Sequence, residues 1–220
     1  MNRIDLHCHT LLSDGELMPI ELARRAYVMG HTAVAATDHA SISNLDLLIT
    51  SVKAEAELVK EWDMDLIAGV EITHVPKRRI DQVVAAARKK GAEIIVIHGE
   101  TVTEPVERGT NAVAVNNPEV DILAHPGFIT LDEAQWARDN DVILEITARK
   151  GHNATNGHVA SMALQAGAKM VVNTDTHAPS DLIDYDTAMK IAMAAGLPRT
   201  EAEKAVRDTP LELLKKVKGR

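Results

Sequence analysis

Ten histidines occur in this 220-residue chain, and six of them stand at or just past the end of an apolar run of strand character: His7, His9, His39, His98, His125 and His177. Imidazole is the commonest protein ligand for transition metals, and carboxylates stand beside it at Asp14, Glu71 and Asp175. Donors grouped in this way point to metal ions rather than to scattered surface histidines. His7-Cys8-His9 and Asp175-Thr176-His177 each carry two donors at i and i+2. Side chains alternate along a strand, so each pair shares a face, while Cys8 turns to the other and is expected to pack rather than to ligate. Asp14 lies in a short SDG loop that can fold back over the strand ends. Glu71 closes the apolar run LIAGVE, where a carboxylate is costly to bury unless a charge or a metal compensates it.

The elements that carry these donors repeat regularly. The residue pattern predicts strands over 4–9, 33–39, 66–73, 93–98, 121–125, 142–147 and 169–174, with helices over 19–29, 44–61, 80–90, 131–139, 157–166 and 180–195. Gly30, Gly91, Gly167 and Gly196 follow the apolar-periodic runs where a helix stops, and Thr130 stands where one starts. Seven β-then-α units of one polarity imply an α/β protein with a parallel sheet inside and helices outside. The first strand has no glycine-rich nucleotide fingerprint after it, which favours a closed barrel over an open, doubly wound sheet. In such a barrel the C-terminal strand ends converge on one rim, so the histidines share it. The 100–118 connection is the longest and is expected to be a partial lid; its TNAVAVNN core reads equally as a short helix or an extra strand. A lysine-rich helical tail over about 198–220 completes a single domain spanning 1–220.

Composition narrows the partners. Net charge is −8 and aromatic residues are 2% of the chain, which speaks against long nucleic acid and against a broad base-stacking platform. The single cysteine excludes an internal disulfide and any zinc site built on paired cysteines. No apolar run reaches the roughly 18 residues needed to cross a bilayer. The MNRIDLHCHT start has no signal-peptide character. A cytoplasmic protein is expected, with no membrane partner; its oligomeric state is not encoded in any feature of the sequence.

Read in order, His7-Cys8-His9, Asp14, Asp38-His39, Gly69-Val70-Glu71, His98-Gly99, His125-Pro126 and Asp175-Thr176-His177 resemble the motif series of the polymerase and histidinol phosphatase (PHP) family. The match runs from Asp5 to His177. The resemblance implies a distorted, TIM-like (β/α)7 barrel with a trinuclear site at its mouth. By analogy His7, His9, Glu71 and Asp175 would hold one ion, and Glu71, His98 and His125 a second, with Glu71 as the bridge. Asp14, His39 and His177 would hold the third. Imidazole and carboxylate without thiolate suit two to three divalent transition-metal ions, zinc, manganese or iron. Three such ions and three carboxylates leave a charge of about +3, which suits a phosphate dianion. The implied activity is hydrolysis of a small phosphomonoester by a metal-bound hydroxide, with histidinol phosphate as the named candidate. The rivals are a phosphodiesterase or nuclease acting on nucleotides or DNA ends, a metal-dependent amidohydrolase, and a non-catalytic PHP-like subunit.

Substrate contacts are sought among residues near the rim. Arg149 follows the sixth strand and is the favoured phosphate clamp, because guanidinium contacts phosphate bidentately. Lys150 and His152 are further substrate-binding candidates, although a surface position is expected for His152, as for His158. The Lys77–Arg79 run reads as a solvated helix start. Glu145 and Asp38 are expected to orient ligands from behind, and His31, at the opposite end of its strand, to be structural.

Overall fold

The structure, a computed structural model, describes residues 2–219. Its strands are β1 (Arg3–Cys8), β2 (His31–Ala36), β3 (His39–Ala40), β4 (Asp65–Ile72), β5 (Ile94–His98), β6 (Ile122–Ala124), β7 (Ile143–Thr147) and β8 (Met170–Asn173). Every pairing is parallel, in the order β1-β2-β4-β5-β6-β7-β8, with β3 pairing the upper part of β4. The strand expected over 33–39 is therefore two pieces. The break falls at Thr37-Asp38, where the Thr37 amide donates to the Cys8 carbonyl at 2.8 Å and the Asp38 carbonyl accepts from the Glu71 amide at 3.1 Å.

The barrel closes between β1 and the segment after β8. The Asp175 amide donates to the His7 carbonyl at 2.9 Å and the His9 amide to the Thr176 carbonyl at 2.7 Å. Lower on the same seam side chains stand in for the ladder: Arg3 donates to the Val172 carbonyl at 3.1 Å, and the Leu6 amide donates to Asn173 Oδ1 at 3.0 Å. This uneven closure is the distortion expected of a seven-unit barrel.

Helices α1 (Pro19–Val28), α2 (Leu45–Val59), α3 (Ile80–Lys89), α4 (Thr110–Val115), α5 (Leu131–Asp139), α6 (Asn156–Ala166) and α7 (Tyr185–Ala194) follow the strands in turn. The ambiguous TNAVAVNN segment is helical, as α4. The tail forms α8 (Arg199–Glu203), a π-helical turn over 204–208 and α9 (Thr209–Lys218). Outward-facing Ile95, Ile97, Leu123, Leu144, Ile146 and Val172 pack against the helices. Inward-facing Ile4, Leu6, Ile67, Ile94, Val96, Ile122, Ile143 and Val171 form an apolar floor, which Leu213, Leu214 and Val217 of α9 plug from below.

Each inward row turns polar toward the mouth: Ile94 and Val96 give way to His98, and Ile143 to Glu145. β1 reaches the same result through a bulge. Asp5 pairs with Val34 and Cys8 with Ala36, so β1 carries one residue more than β2. Leu6 therefore stays with the floor while His7 and His9 face the mouth. Cys8 turns outward among Leu22, Val34 and Ala36, as alternation requires.

His31 lies far from this mouth, 2% exposed, and its ring nitrogen Nδ1 bonds the Ala26 carbonyl at 3.0 Å. Burial lowers its pKa from 6.5 to about 4. A histidine depressed in this way contributes stability above pH 6.5 and loses it as the pH falls toward 4. At pH 5 the loss is about 2 kcal/mol. The stability of the wild type relative to His31→Gln is expected to fall by about that amount between pH 7 and pH 5 in urea unfolding. A pH-independent difference would show that His31 does not stay neutral on folding.

Candidate metal centre

The barrel mouth gathers eight histidine rings into one connected cluster, two more than strand-end spacing suggested. His177 and His39 pack on His9 at 4.1 and 4.3 Å between centroids, and His7 lies 5.2 Å from His9. On the other side His125 sits 4.5 Å from His98 and 4.4 Å from His152, with His74 at 5.2 Å from His98.

Three sets of donor atoms lie close enough to hold a cation: His7, His9 and Asp175; His7, Glu71 and His125; and His9, Asp14, His39 and His177. Glu71 is fully buried, and its Oε1 lies 3.4 Å from both His7 Nε2 and His125 Nε2. That oxygen has no hydrogen-bond partner among the described residues, an arrangement that is costly unless something else fills the space. Glu71 Oε2 faces His39 Nδ1 at 2.7 Å and His9 Nε2 at 3.6 Å. Asp175 Oδ1 is 3.2 Å from His9 Nε2, and Asp14 Oδ2 is 3.3 Å from His177 Nε2 and 3.5 Å from His39 Nε2. The donors and spacings fit divalent ions, with all nine sequence-selected residues at one mouth.

Supporting bonds fix which nitrogen each ring presents. Glu145, fully buried on β7, bonds His7 Nδ1 at 2.8 Å and accepts the His125 amide at 3.0 Å, so His7 Nε2 faces inward. His177 Nδ1 donates to the Asp175 carbonyl at 2.9 Å, and His98 Nδ1 to the Gly99 carbonyl at 3.2 Å. Asp38 accepts from the Thr10 amide at 2.7 Å and from Ser13 Oγ at 2.7 Å, holding the loop that carries Asp14. Gly99 and Gly127 let the β5 and β6 ends meet backbone to backbone: a Cβ on Gly99 would lie 2.3 Å from the Ala124 carbonyl, and one on Gly127 2.0 Å from that of Glu100.

The electrostatics follow from packing charges in little water. Burial pushes the Glu71 carboxyl up, but His7, His98, His125 and His39 outweigh it and hold Glu71 well below the usual range. Burial likewise opposes protonation of His7, yet Glu145, Glu71 and Asp175 raise it well above 6.5. His9 has the opposite balance, and burial lowers it. Hydrogen bonds from His177 and His39 hold Asp14 well below its ordinary value. His125 at φ 28° and Asp175 at φ 53° have positive φ, uncommon outside glycine and a feature of sites held by their surroundings.

Two expectations change. His152 is not on the surface: it is 7% exposed, stacked on His125, with Nδ1 bonded to Thr101 Oγ1 at 2.6 Å. Burial lowers its pKa to about 4. His98 stands outside the three close donor sets, because its Nε2 points to Glu104 at 3.0 Å. Glu104, on the connection between β5 and α4, also faces His152 at 3.5 Å and His74 at 3.6 Å. A hydrogen bond from His98 lowers the Glu104 pKa to about 2. Neither Glu104 nor His74 was singled out as a site residue by spacing. Arg149 bonds Asp181 at 3.3 Å, and Asp181 in turn accepts the His177 and Ala178 amides at 3.0 and 2.9 Å. Lys150 is exposed in the adjoining turn. Phe128 is 69% exposed at the rim, edge-on to His158.

Comparison with known proteins extends the picture. A PHP domain model matches residues 5–100. An uncharacterised protein of Methanocaldococcus jannaschii is 51% identical over 98% of this chain and 100% of its own. A probable phosphatase of a Thermoanaerobacter species is 27% identical over 88% of this chain and 86% of its own. Among solved structures, a chain of an archaeal ribonuclease P with mature tRNA superposes with a TM-score of 0.69 at 18% identity, covering 98% of this chain and 89% of that one. Histidinol phosphate phosphatase from Lactococcus lactis, complexed with zinc, L-histidinol and phosphate, gives 0.64 at 14%, over 90% of this chain and 95% of that one. At those identities the structural likeness speaks for the fold.

Proposed function

Because the chain belongs to the PHP family, we propose that it is a metal-dependent phosphoesterase whose substrate is a small phosphomonoester. The observation that carries this reading is the buried, unbonded Glu71 oxygen set 3.4 Å from two imidazoles. His7, His9, Glu71 and Asp175 would hold one ion, Glu71, His98 and His125 a second, and Asp14, His39 and His177 a third. Such ions supply an activated water and positive charge opposite a phosphoryl group. The chain's own contribution is positioning. Glu145 orients His7, Asp38 holds the Asp14 loop, and Glu71 would join two ligand sets through one carboxylate.

Purified protein, loaded in turn with zinc, manganese and iron, should hold two to three ions per chain and hydrolyse phosphomonoesters in preference to diesters. Less than one ion per chain would defeat the reading, and diester preference would move it to the nuclease alternative. The likeness to a ribonuclease P chain supports one further reading, a non-catalytic subunit. Against it stand all nine candidate donors at one mouth; a metal-replete protein inactive on every phosphoester would favour it.

Arg149 supplies the test of substrate contact. Its side chain is about a third exposed and pairs with Asp181, which braces the backbone at His177. If the guanidinium also reaches a substrate phosphate, Arg149→Ala should lose on the order of 2–3 kcal/mol in kcat/KM. Lysine should recover only part of this, and metal content should not change. An unchanged kcat/KM in the alanine variant would confine Arg149 to its pairing with Asp181 and leave Lys150 and His152 as the candidates.

A further inference from the structure

The connection between β5 and α4 brings one carboxylate to the open side of the centre. Its base is fixed. Glu100 Oε1 accepts the Gly109 and Asn111 amides at 2.8 and 3.0 Å, and Asn111 Oδ1 accepts the Glu100 amide at 2.9 Å. Beyond that clamp, Thr101 and Thr103 bond His152 Nδ1 at 2.6 and 3.2 Å, which aims the following residue, Glu104, inward. Its two oxygens then meet His98 at 3.0 Å, His152 at 3.5 Å and His74 at 3.6 Å. These are separations that two ligands of a single ion adopt, and no lysine or arginine bonds this carboxylate among the described residues.

On these grounds, and resting on the proposed metal centre, we infer that Glu104 is a further metal-facing ligand, borne by the loop, that caps the ion held by Glu71, His98 and His125. Those three residues supply three protein donors, and a zinc-type site with three protein donors keeps one position open for water or substrate. Glu104 would take that position from beside His98, 3.0 Å from its Nε2. Its carboxylate would therefore tighten the ion and compete with an incoming phosphate for the same place. A cavity of about 160 Å³, lined by His74, Val75, His98, Pro105 and Val106, lies against the loop and leaves it room to yield.

Calorimetric titration of metal-stripped protein with Mn²⁺ or Zn²⁺ tests this without reference to turnover. Glu104→Gln should bind the weakest ion at least about tenfold less tightly, the range seen when a residue supporting a metal site is lost. Metal-saturated Glu104→Gln should at the same time bind inorganic phosphate more tightly than the wild type. Glu107→Gln controls for loop charge, since it neutralises a carboxylate of the same loop that accepts from the Lys77 amide at 2.9 Å rather than facing a histidine, and its metal affinity should stay near wild type. Equal metal affinity in wild type and Glu104→Gln, or an equal loss in Glu107→Gln, would overturn the inference and leave the phosphoesterase reading standing. A wild type that binds no metal would overturn both.

Discussion

Glu71→Gln is expected to leave the barrel folded and to lower turnover by about 10²-fold or more. The side chain is fully buried at the end of the inward row of β4, where glutamine has nearly the same volume and opens no cavity. The backbone there is held independently, by the Glu71 amide on the Asp38 carbonyl and by the ladder to β5. The change falls on charge and lone pairs. Oε1 lies between His7 and His125, and Oε2 between His39 and His9. An amide has one acceptor where the carboxylate has two, so it cannot serve both sides as an anion. Loss of charge also leaves the positive centre less compensated, which weakens ion binding. Turnover of metal-replete protein, measured together with metal content and a thermal melt, decides the matter. Near-wild-type turnover in a fully loaded Gln variant would remove Glu71 as the bridge.

Much of this centre is legible before any fold is known, because strand alternation and barrel polarity convert position into direction. Donors at i and i+2 on β1 share a face, and donors that close successive parallel strands share a rim. The donors picked out in that way, together with Asp14 of the loop after β1, all reach the mouth. The part that escapes lies where spacing has no such translation. Glu104 sits in TVTEPVER, which reads as a charged loop, and it comes to His98 only because Glu100 and Asn111 close that loop. His152 is buried by stacking on His125, a residue 27 positions earlier, which no local pattern encodes. The bulge that turns both Leu6 and His7 inward is set by pairing with β2, and the break between β2 and β3 by the bonds of Thr37 and Asp38. The hexapeptide of α4 is too short for a period of two to be told from one of 3.6.

Stripping the ions with a chelator should take phosphoesterase activity to background, with recovery on adding zinc, manganese or iron, and should make the protein's stability depend on pH in a defined sense. The apolar floor and α9 do not rely on the centre, so the stripped protein should stay folded at neutral pH. Within the centre, buried carboxylates then rely on imidazolium partners beside a few amide and hydroxyl donors. Burial opposes protonation at His39, but Asp14 and Glu71 outweigh it and push the ring up to about 10; His7, His98 and His177 are raised on the same balance. A raised histidine contributes stability that is complete below its unfolded value of 6.5 and is lost as the pH climbs through its folded one. For His39 that window runs from 6.5 to about 10. Each such proton is worth about 1.4 kcal/mol per pH unit, or roughly 3 °C of melting temperature in a chain of this size. The loaded protein has the reverse dependence, since ligand imidazoles must be neutral and ion binding strengthens as protons leave. The gap between loaded and stripped melting temperatures should therefore widen from pH 6.5 to pH 9. Equal melting curves across that range, or full activity after chelation, would show that these imidazoles and carboxylates serve each other and hold no ion.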